Sequence, residues 1–337
     1  MSTLELAAAL ARAASLLVLL AVAPFGAATA ADRQHAAPPG VPRMPDGHPD
    51  LQGIWTGGTV TPFERPDDIA AGERLTEAQA ATLEQRAADF RSHKSTKPGD
   101  VGHDNEAFLD TQKVLPTMQT SLVVVPADGK VPLTPEAERR RDYNLNNYDG
   151  FESMSPWDRC ITRGPTSLLP SNYNNGYQIV QTPTYIVIMT EMIHEARIIP
   201  IEGSPHADAR IRSWAGDSRG HWEGTTLVVE TTNFNGKGWL TTHNGSGRVR
   251  GVPYTEDLRT VERFTRTDAN TLNYEMTIED PTMYRSAWTA AYPMKRDDSY
   301  QIYEYACHEG NTATESILRG ARVQEQQQAA ATASAKP

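Results

Sequence analysis

Residues 272–280 alternate strictly. Leu272, Tyr274, Met276 and Ile278 are apolar, and Asn273, Glu275, Thr277 and Glu279 between them are polar. A period of two sends one face to a core and the other to water, so this is a half-buried strand. Similar short runs follow one another: Leu51–Thr56, Tyr177–Thr182, Tyr185–Thr190, Ala196–Ile199, Ile211–Trp214, Thr226–Phe234, Val261–Arg266 and a last one from Tyr300 to Cys307. Turn signals separate them, at Gly216–Gly220, Asp268–Asn270 and Pro293. Gaps this short leave no room for crossover helices, which predicts an antiparallel sheet. Seven or more meandering strands favour a barrel or a sandwich. The expected fold is mainly β, an antiparallel meander closing into a barrel.

A few helices are expected in the N-terminal half. Thr76 and Gln79 have capping-box spacing, and the following Ala, Leu, Glu and Arg carry no breaker to about 93. A second helix starts after Thr134. Pro135 suits its first turn, and Glu136 and Glu138 suit its positive end. Ser155 to Asp158 repeats this starting signal on a smaller scale. These elements form a helical insertion, about 75–160, within a single β-rich domain over 51–322. Residues 31–50 read as a linker, and the Gln-rich then Ala/Ser-rich segment 323–337 as a disordered tail.

The first thirty residues read as a secretion signal. Arg12 precedes an apolar run to Val22, and Ala28-Thr29-Ala30 offers a small-residue cleavage site. The run is shorter than the roughly 20 residues of a membrane span, and no later segment is apolar enough, so no span is expected after cleavage. The expected location is the periplasm or the outside of the cell. A net charge of −10 on 337 residues argues against nucleic acid as a partner, since its backbone needs Lys and Arg for neutralisation. The only two cysteines, Cys160 and Cys307, are expected to bridge in an oxidising compartment, with two buried free thiols as the alternative. In the chain-entropy model so long a loop contributes about 5 kcal/mol.

Two resemblances bear on the family. Gly53-Ile54-Trp55, just before a meander, resembles the G-x-W that opens lipocalin-like (calycin-type) barrels. Ser155–Cys160, Tyr173–Gln181, Gly216–Gly224 and Tyr305–Asn311 resemble segments of a large group of secreted bacterial proteins mostly called hypothetical. The first implies a lipocalin-like barrel. The second implies secretion and one continuous unit, and supplies no activity and no catalytic residues.

The richest cluster of ionisable residues lies in 190–206. His194-Glu195 begins an H-E-x-x-H zinc motif, but the second histidine is missing and Pro200 favours a strand over the helix the motif needs. A looser divalent-metal site could form if His194, His206 and His308 meet in space, with His221 and His243 as further donors. On a regular strand His194 and Glu195, or His308 and Glu309, point to opposite faces. They share a pocket only if they sit in turns. Arg197 shares a strand face with Ile199, and Glu262 alternates in phase with Phe264. A charge on an apolar face needs a partner or a bound anion. Glu191 is the expected partner of Arg197, which otherwise clamps a substrate carboxylate.

Gly216, Ser218 and Gly220 match the G-x-S-x-G spacing, but the elbow needs a strand leading into a helix and a strand follows here. Tyr173 and Asn175 offer polar groups for a ligand, and Trp222 a stacking face. Nucleotide, phosphate-loop and haem motifs are missing, so no organic cofactor is expected. The expected function is a small-molecule-transforming enzyme, a hydrolase, lyase or isomerase working in a β-barrel pocket. His194 or His308 would be the base, Glu195 or Glu309 the orienting acid, and Arg197, Tyr173, Asn175 and Trp222 the substrate contacts. The alternatives are a lipocalin-like carrier and a structural envelope protein.

Overall fold

The structure is a computed structural model and describes residues 40–92, 109–201, 203–242 and 244–334. The expected signal segment lies outside the described residues. Among the described residues ten strands form, β1 (Gly53–Thr56), β2 (Val123–Val125), β3 (Gly176–Gln181), β4 (Tyr185–Thr190), β5 (Ala196–Pro200), β6 (Asp217–Glu223), β7 (Thr226–Thr232), β8 (Arg259–Arg266), β9 (Thr271–Glu279) and β10 (Trp288–Arg296). Leaving out β2, which pairs only with β10, nine strands follow one another around the sheet in chain order, and β1 closes the circuit between β3 and β10. All of these ladders are antiparallel. An odd number of strands cannot alternate direction all the way round, so one neighbouring pair must be parallel. It is β5 with β6, which meet through a single parallel bridge, Ile201 with Gly220. Gly220 permits that approach, since a Cβ there would lie 2.7 Å from Ile201 Cδ1. The fold is therefore a mainly β, nearly closed barrel, as expected.

Strand alternation decides what fills it. Leu272, Tyr274, Met276 and Ile278 are all buried, as are Phe264 and Glu262 on β8, Ile199 on β5, and Ile186 and Ile188 on β4. Fully burying one such apolar side chain contributes about 1.5–3 kcal/mol. Trp55 closes one end, its indole N–H donating to Leu51 O at 2.9 Å, and the Arg266 guanidinium lies 5.2 Å from its ring centroid. Arg266 is itself buried and spends its donors on the carbonyls of Asp50, Asp268 and Ala269.

Several boundaries differ from expectation. Gly216–Gly220 is not a turn, because β6 runs through it and the turn falls at Gly224. Ser218 faces inward and shares a 2.8 Å hydrogen bond with Thr231, so it is no nucleophile elbow. Ile211–Trp214 belongs to the β5–β6 connection and forms an isolated bridge, Ser213 with Phe234, rather than a strand. Tyr300–Cys307 forms no strand. The last strand is β10, and Pro293 lies inside it. Proline is tolerated there because β2 pairs with Thr289 and Ala290 and β1 with Lys295 and Arg296, which leaves Pro293 between the two neighbours on its missing-donor side.

Helix α1 (Glu77–Arg91) starts with the expected capping box, and α2 (Pro135–Asn146) starts at Thr134 with proline in its first turn. Ser155 caps Asp158 in a turn without a helix. From residue 40 the expected linker folds against the barrel, with Val41 and Leu51 buried. Helix α3 (Ala313–Ser334) continues where a disordered tail was expected. Its Ala, Gln and Glu content favours helix, yet no residue along it is buried. Among the described residues no helix is long and apolar enough to cross a membrane.

Candidate functional site

The two charges singled out on apolar strand faces meet each other. Arg197 on β5 donates to Glu262 on β8 through Nη1 at 2.6 Å and Nη2 at 2.9 Å, across the inside of the barrel. Tyr274 on β9 donates to the same carboxylate at 2.8 Å. Glu191 is not the partner of Arg197. Its carboxylate turns to the other face of the sheet, while Arg197 faces inward with Ile199. The pair is a brace, with both guanidinium nitrogens of the fork committed, and the neighbouring carboxylate raises the Arg197 pKa despite the burial that opposes it.

The histidines do not converge. His194 is exposed in a one-turn 3-10 segment between β4 and β5, with Ile193 and His194 both at positive φ. Glu195 points the other way, accepts from Thr162 Oγ1 at 2.7 Å, and has its pKa raised by burial. The opposite-face rule thus holds even in the turn. His308 and Glu309 are exposed, and neither side chain has a hydrogen bond or ion pair among the described residues. His206 bonds Asp217 at 2.9 Å and His221 lies 3.3 Å from Glu223, both on the outer face of the β6–β7 hairpin. Trp222 stacks on His48 at 4.6 Å, away from any of these. Among the described residues no group of three His, Cys, Asp or Glu side chains is placed to hold a metal ion, so His194, His206 and His308 do not form the looser site. His243 lies outside the described residues.

A different place has the form of a site. A cavity of about 910 Å³ opens beside the Cys160–Cys307 disulfide, the expected bridge, whose Cα atoms are 5.6 Å apart. Its walls carry five aromatic side chains, Trp157, Tyr173, Tyr300, Tyr303 and Tyr305. Among the described residues its charged groups are all carboxylates, Asp110, Asp158 and Glu304. The cavity lies outside the barrel. Tyr177 on β3 points inward, which turns its neighbour Gly176 outward, and there the Tyr300 ring packs so closely that a Cβ on Gly176 would sit 2.8 Å from it. Gly176 is therefore required by the site rather than by a turn.

Polar contacts lock this wall. Tyr300 donates to both oxygens of Glu191, at 2.8 and 2.6 Å, and the Tyr303 N–H donates to Glu191 at 3.3 Å. Glu191 is completely buried. Tyr173 and Tyr305 share a 3.2 Å hydrogen bond, and Trp157 donates to the Tyr305 hydroxyl at 3.3 Å. Asn175, buried, accepts from Ser171 N at 2.7 Å and donates to Asp110 at 2.7 Å, so it shapes the cavity from behind. Although Asp110 as a whole is exposed, its carboxyl faces inward, and burial, with Glu191 adding to it, pushes its pKa up. Burial likewise pushes up the phenols of Tyr173 and Tyr300. Arg163 sits behind the wall, 5.4 Å from the Trp157 ring centroid, with burial lowering its pKa.

Comparison with known protein families, curated proteins and solved structures gives no match to this chain. The site is read from its geometry alone. Of the expected ligand contacts, Tyr173 lines the cavity and Asn175 supports it, whereas Arg197 and Trp222 do not take part. Sequence reasoning missed Tyr300, Tyr303, Tyr305, Trp157, Glu191 and the carboxylates. A signal was present. The expected disulfide joins Trp157-Asp158-Arg159-Cys160 to Tyr303-Glu304-Tyr305-Ala306-Cys307, which brings the aromatic residues of both segments together.

Proposed function

We propose that this chain is a small-molecule binding protein whose ligand occupies the tyrosine-walled cavity, a carrier rather than a histidine-based enzyme. The observation that carries this reading is the cavity itself. Its volume falls within the range of about 300–1,000 Å³ usual for ligand sites, and rigid aromatic faces with a few placed polar groups are the usual lining. The residues cast as acid and base, His194 with Glu195 and His308 with Glu309, do not line it. The secretion signal and the disulfide suit a protein acting in the periplasm or outside the cell.

An acid–base reading keeps one observation of its own. Glu191, Tyr300 and Asp110 place a buried carboxylate, a phenol and a second carboxyl with a raised pKa at one wall. Such groups could move a proton, and turnover would then depend on Glu191 rather than on histidine.

The test is a thermal-shift screen of cationic, anionic and neutral aromatic metabolites on the full secreted chain and on Ala306→Trp. Ala306 is an exposed residue of the cavity wall, so the indole fills the cavity without entering the core. Compounds that stabilise the natural chain should lose that effect in Ala306→Trp. Shifts of equal size in both proteins, or none in either, would refute the cavity as the binding site.

A further inference from the structure

We infer that the cavity selects a small organic cation, an amine or quaternary ammonium compound with an apolar body. The inference rests on the binding role proposed for this cavity and specifies its ligand. Three features of the wall lead to it. First, charge has one sign. Asp110, Asp158 and Glu304 line the cavity, the buried Glu191 stands behind Tyr300, and among the described residues no Lys, Arg or His lines it. The cation Arg163 lies behind Trp157, 5.4 Å from its ring centroid, and outside the lining. An anion entering would face repulsion with no cationic side chain among the described lining to receive it.

Second, most hydrogen-bond donors of the wall are already used. Tyr300 gives its proton to Glu191, Tyr173 and Tyr305 share one, Trp157 gives its N–H to Tyr305, and Asn311 gives its amide to Asp158 O at 3.2 Å. Among the described residues, the Asn174 amide, the Tyr303 hydroxyl and one phenolic proton of the Tyr173–Tyr305 pair are what remains. A neutral polyol would need more donors than these. The carboxylates keep free lone pairs. Asp158 accepts from Ser155 at 2.6 Å, Asp110 from Asn175, and the Glu304 carboxylate has no hydrogen bond among the described residues. A wall rich in acceptors and poor in donors matches a ligand that brings positive charge or N–H groups.

Third, the remaining surface is π-face. A cation over an aromatic ring is attracted by the ring quadrupole, and sites for quaternary ammonium ligands use several rings around one charge. Tyr300, donating its proton to the Glu191 carboxyl oxygens, is more electron-rich than a free phenol, which strengthens that attraction. Tyr173 and Tyr305 lie nearly parallel, with ring centroids 6.4 Å apart and planes 17° apart, and present a broad flat wall.

The experiment uses calorimetry on the full chain with two probes of nearly the same shape, (4-hydroxyphenyl)trimethylammonium and 4-tert-butylphenol. The cation should bind about tenfold tighter than its neutral counterpart, and Glu304→Gln, which removes a charge with no hydrogen bond to lose, should weaken the cation severalfold and leave the phenol unchanged. Equal affinity for the two probes, or a cation preference that Glu304→Gln and Ala306→Trp leave intact, overturns the inference. If neither probe binds but other compounds give shifts abolished by Ala306→Trp, the cavity stands and the cation inference falls. If nothing sensitive to Ala306→Trp binds at all, both fall.

Discussion

Arg197 and Glu262 lie inside the barrel and close on each other at 2.6 and 2.9 Å, whereas Asp110, Asp158 and Glu304 face a cavity of about 910 Å³ with no cation in its lining among the described residues. The first arrangement is what folding demands of a buried charge, which must be paired and hydrogen-bonded to be tolerated. The second leaves several carboxylates without an ion-pair partner in a place where packing did not require charge at all. Both regions hold tyrosines bonded to glutamate, Tyr274 to Glu262 and Tyr300 to Glu191. Inside, the tyrosine adds a third hydrogen bond to the carboxylate of an ion pair whose Arg197 Nε is buried without a partner. Outside, it shields a buried carboxylate and turns its ring to open space. Charge that is fully answered within the protein is structural, and charge left for something else marks a site.

The largest effect is expected inside. Glu262→Gln removes one charge of the buried pair and leaves Arg197 uncompensated among apolar residues, a change that costs about 3–5 kcal/mol. Urea unfolding measures it. The double variant Arg197→Met with Glu262→Leu should recover most of that loss, because the desolvation of both charges disappears together. A loss below about 1 kcal/mol in Glu262→Gln would mean the brace is solvated and the contrast with the cavity is false. Next comes the disulfide. Cys160→Ser with Cys307→Ser opens a loop of 147 residues and should cost about 2–4 kcal/mol. It should also abolish the thermal shifts from cavity ligands, since Cys307 and its neighbours Tyr305 and Ala306 are wall residues. Ligand shifts that survive the loss of the bridge would detach the cavity from that segment.

How much of this could be read from the chain differs between the two regions. The barrel was legible because alternation is local. Leu272 to Ile278 fixes its own inward face, and Arg197 and Glu262 stood out as charges in an apolar phase. Their pairing was not legible, since it joins β5 to β8 across the barrel and depends on closure, while Glu191 was nearer in sequence. Pro293 misled because a proline in a strand is acceptable wherever its missing N–H has no neighbour, and that depends on where β1 and β2 stop. The cavity was less legible still. Its wall comes from irregular chain around 109–110, 157–158, 173–174 and 300–313, which has no periodicity to read. The expected meeting of His194, His206 and His308 is not found among the described residues, for a related reason. Clusters of polar residues at turns are also what any solvated turn looks like, and His194 and His308 are of that kind.

A smaller effect separates the regions by pH. Burial raises the Glu195 pKa, so its ionised form is disfavoured in the folded state relative to the unfolded one. Ionising it as pH rises through the unfolded and then the folded pKa therefore removes stability. Glu195→Gln keeps an acceptor for Thr162 and cannot ionise. The variant and the natural chain should differ least at about pH 3, and the variant should gain relative stability on the way to about pH 7. Chemical denaturation at a series of pH values shows this directly. A variant that instead loses stability relative to the natural chain as pH rises would mean that Arg197 beside it, rather than burial, governs Glu195.

The smallest effect is expected at the residues once favoured for catalysis. His308→Ala and His194→Ala each remove an exposed imidazole that does not line the cavity, so stability should change by less than about 0.5 kcal/mol. Ligand affinity in the cavity should stay the same, because neither ring borders it. Tyr305→Ala supplies the contrast, since it removes both the bond to Tyr173 and the acceptor of Trp157 and should weaken binding visibly. His308 is the sharper of the two histidine tests, being one residue from Cys307 and hence close to the wall in sequence. If His308→Ala weakened ligand binding as much as Tyr305→Ala, the turn after the disulfide would have to close over the ligand. The division between a solvated turn and a site would then have to be redrawn with His308 on the side of the site.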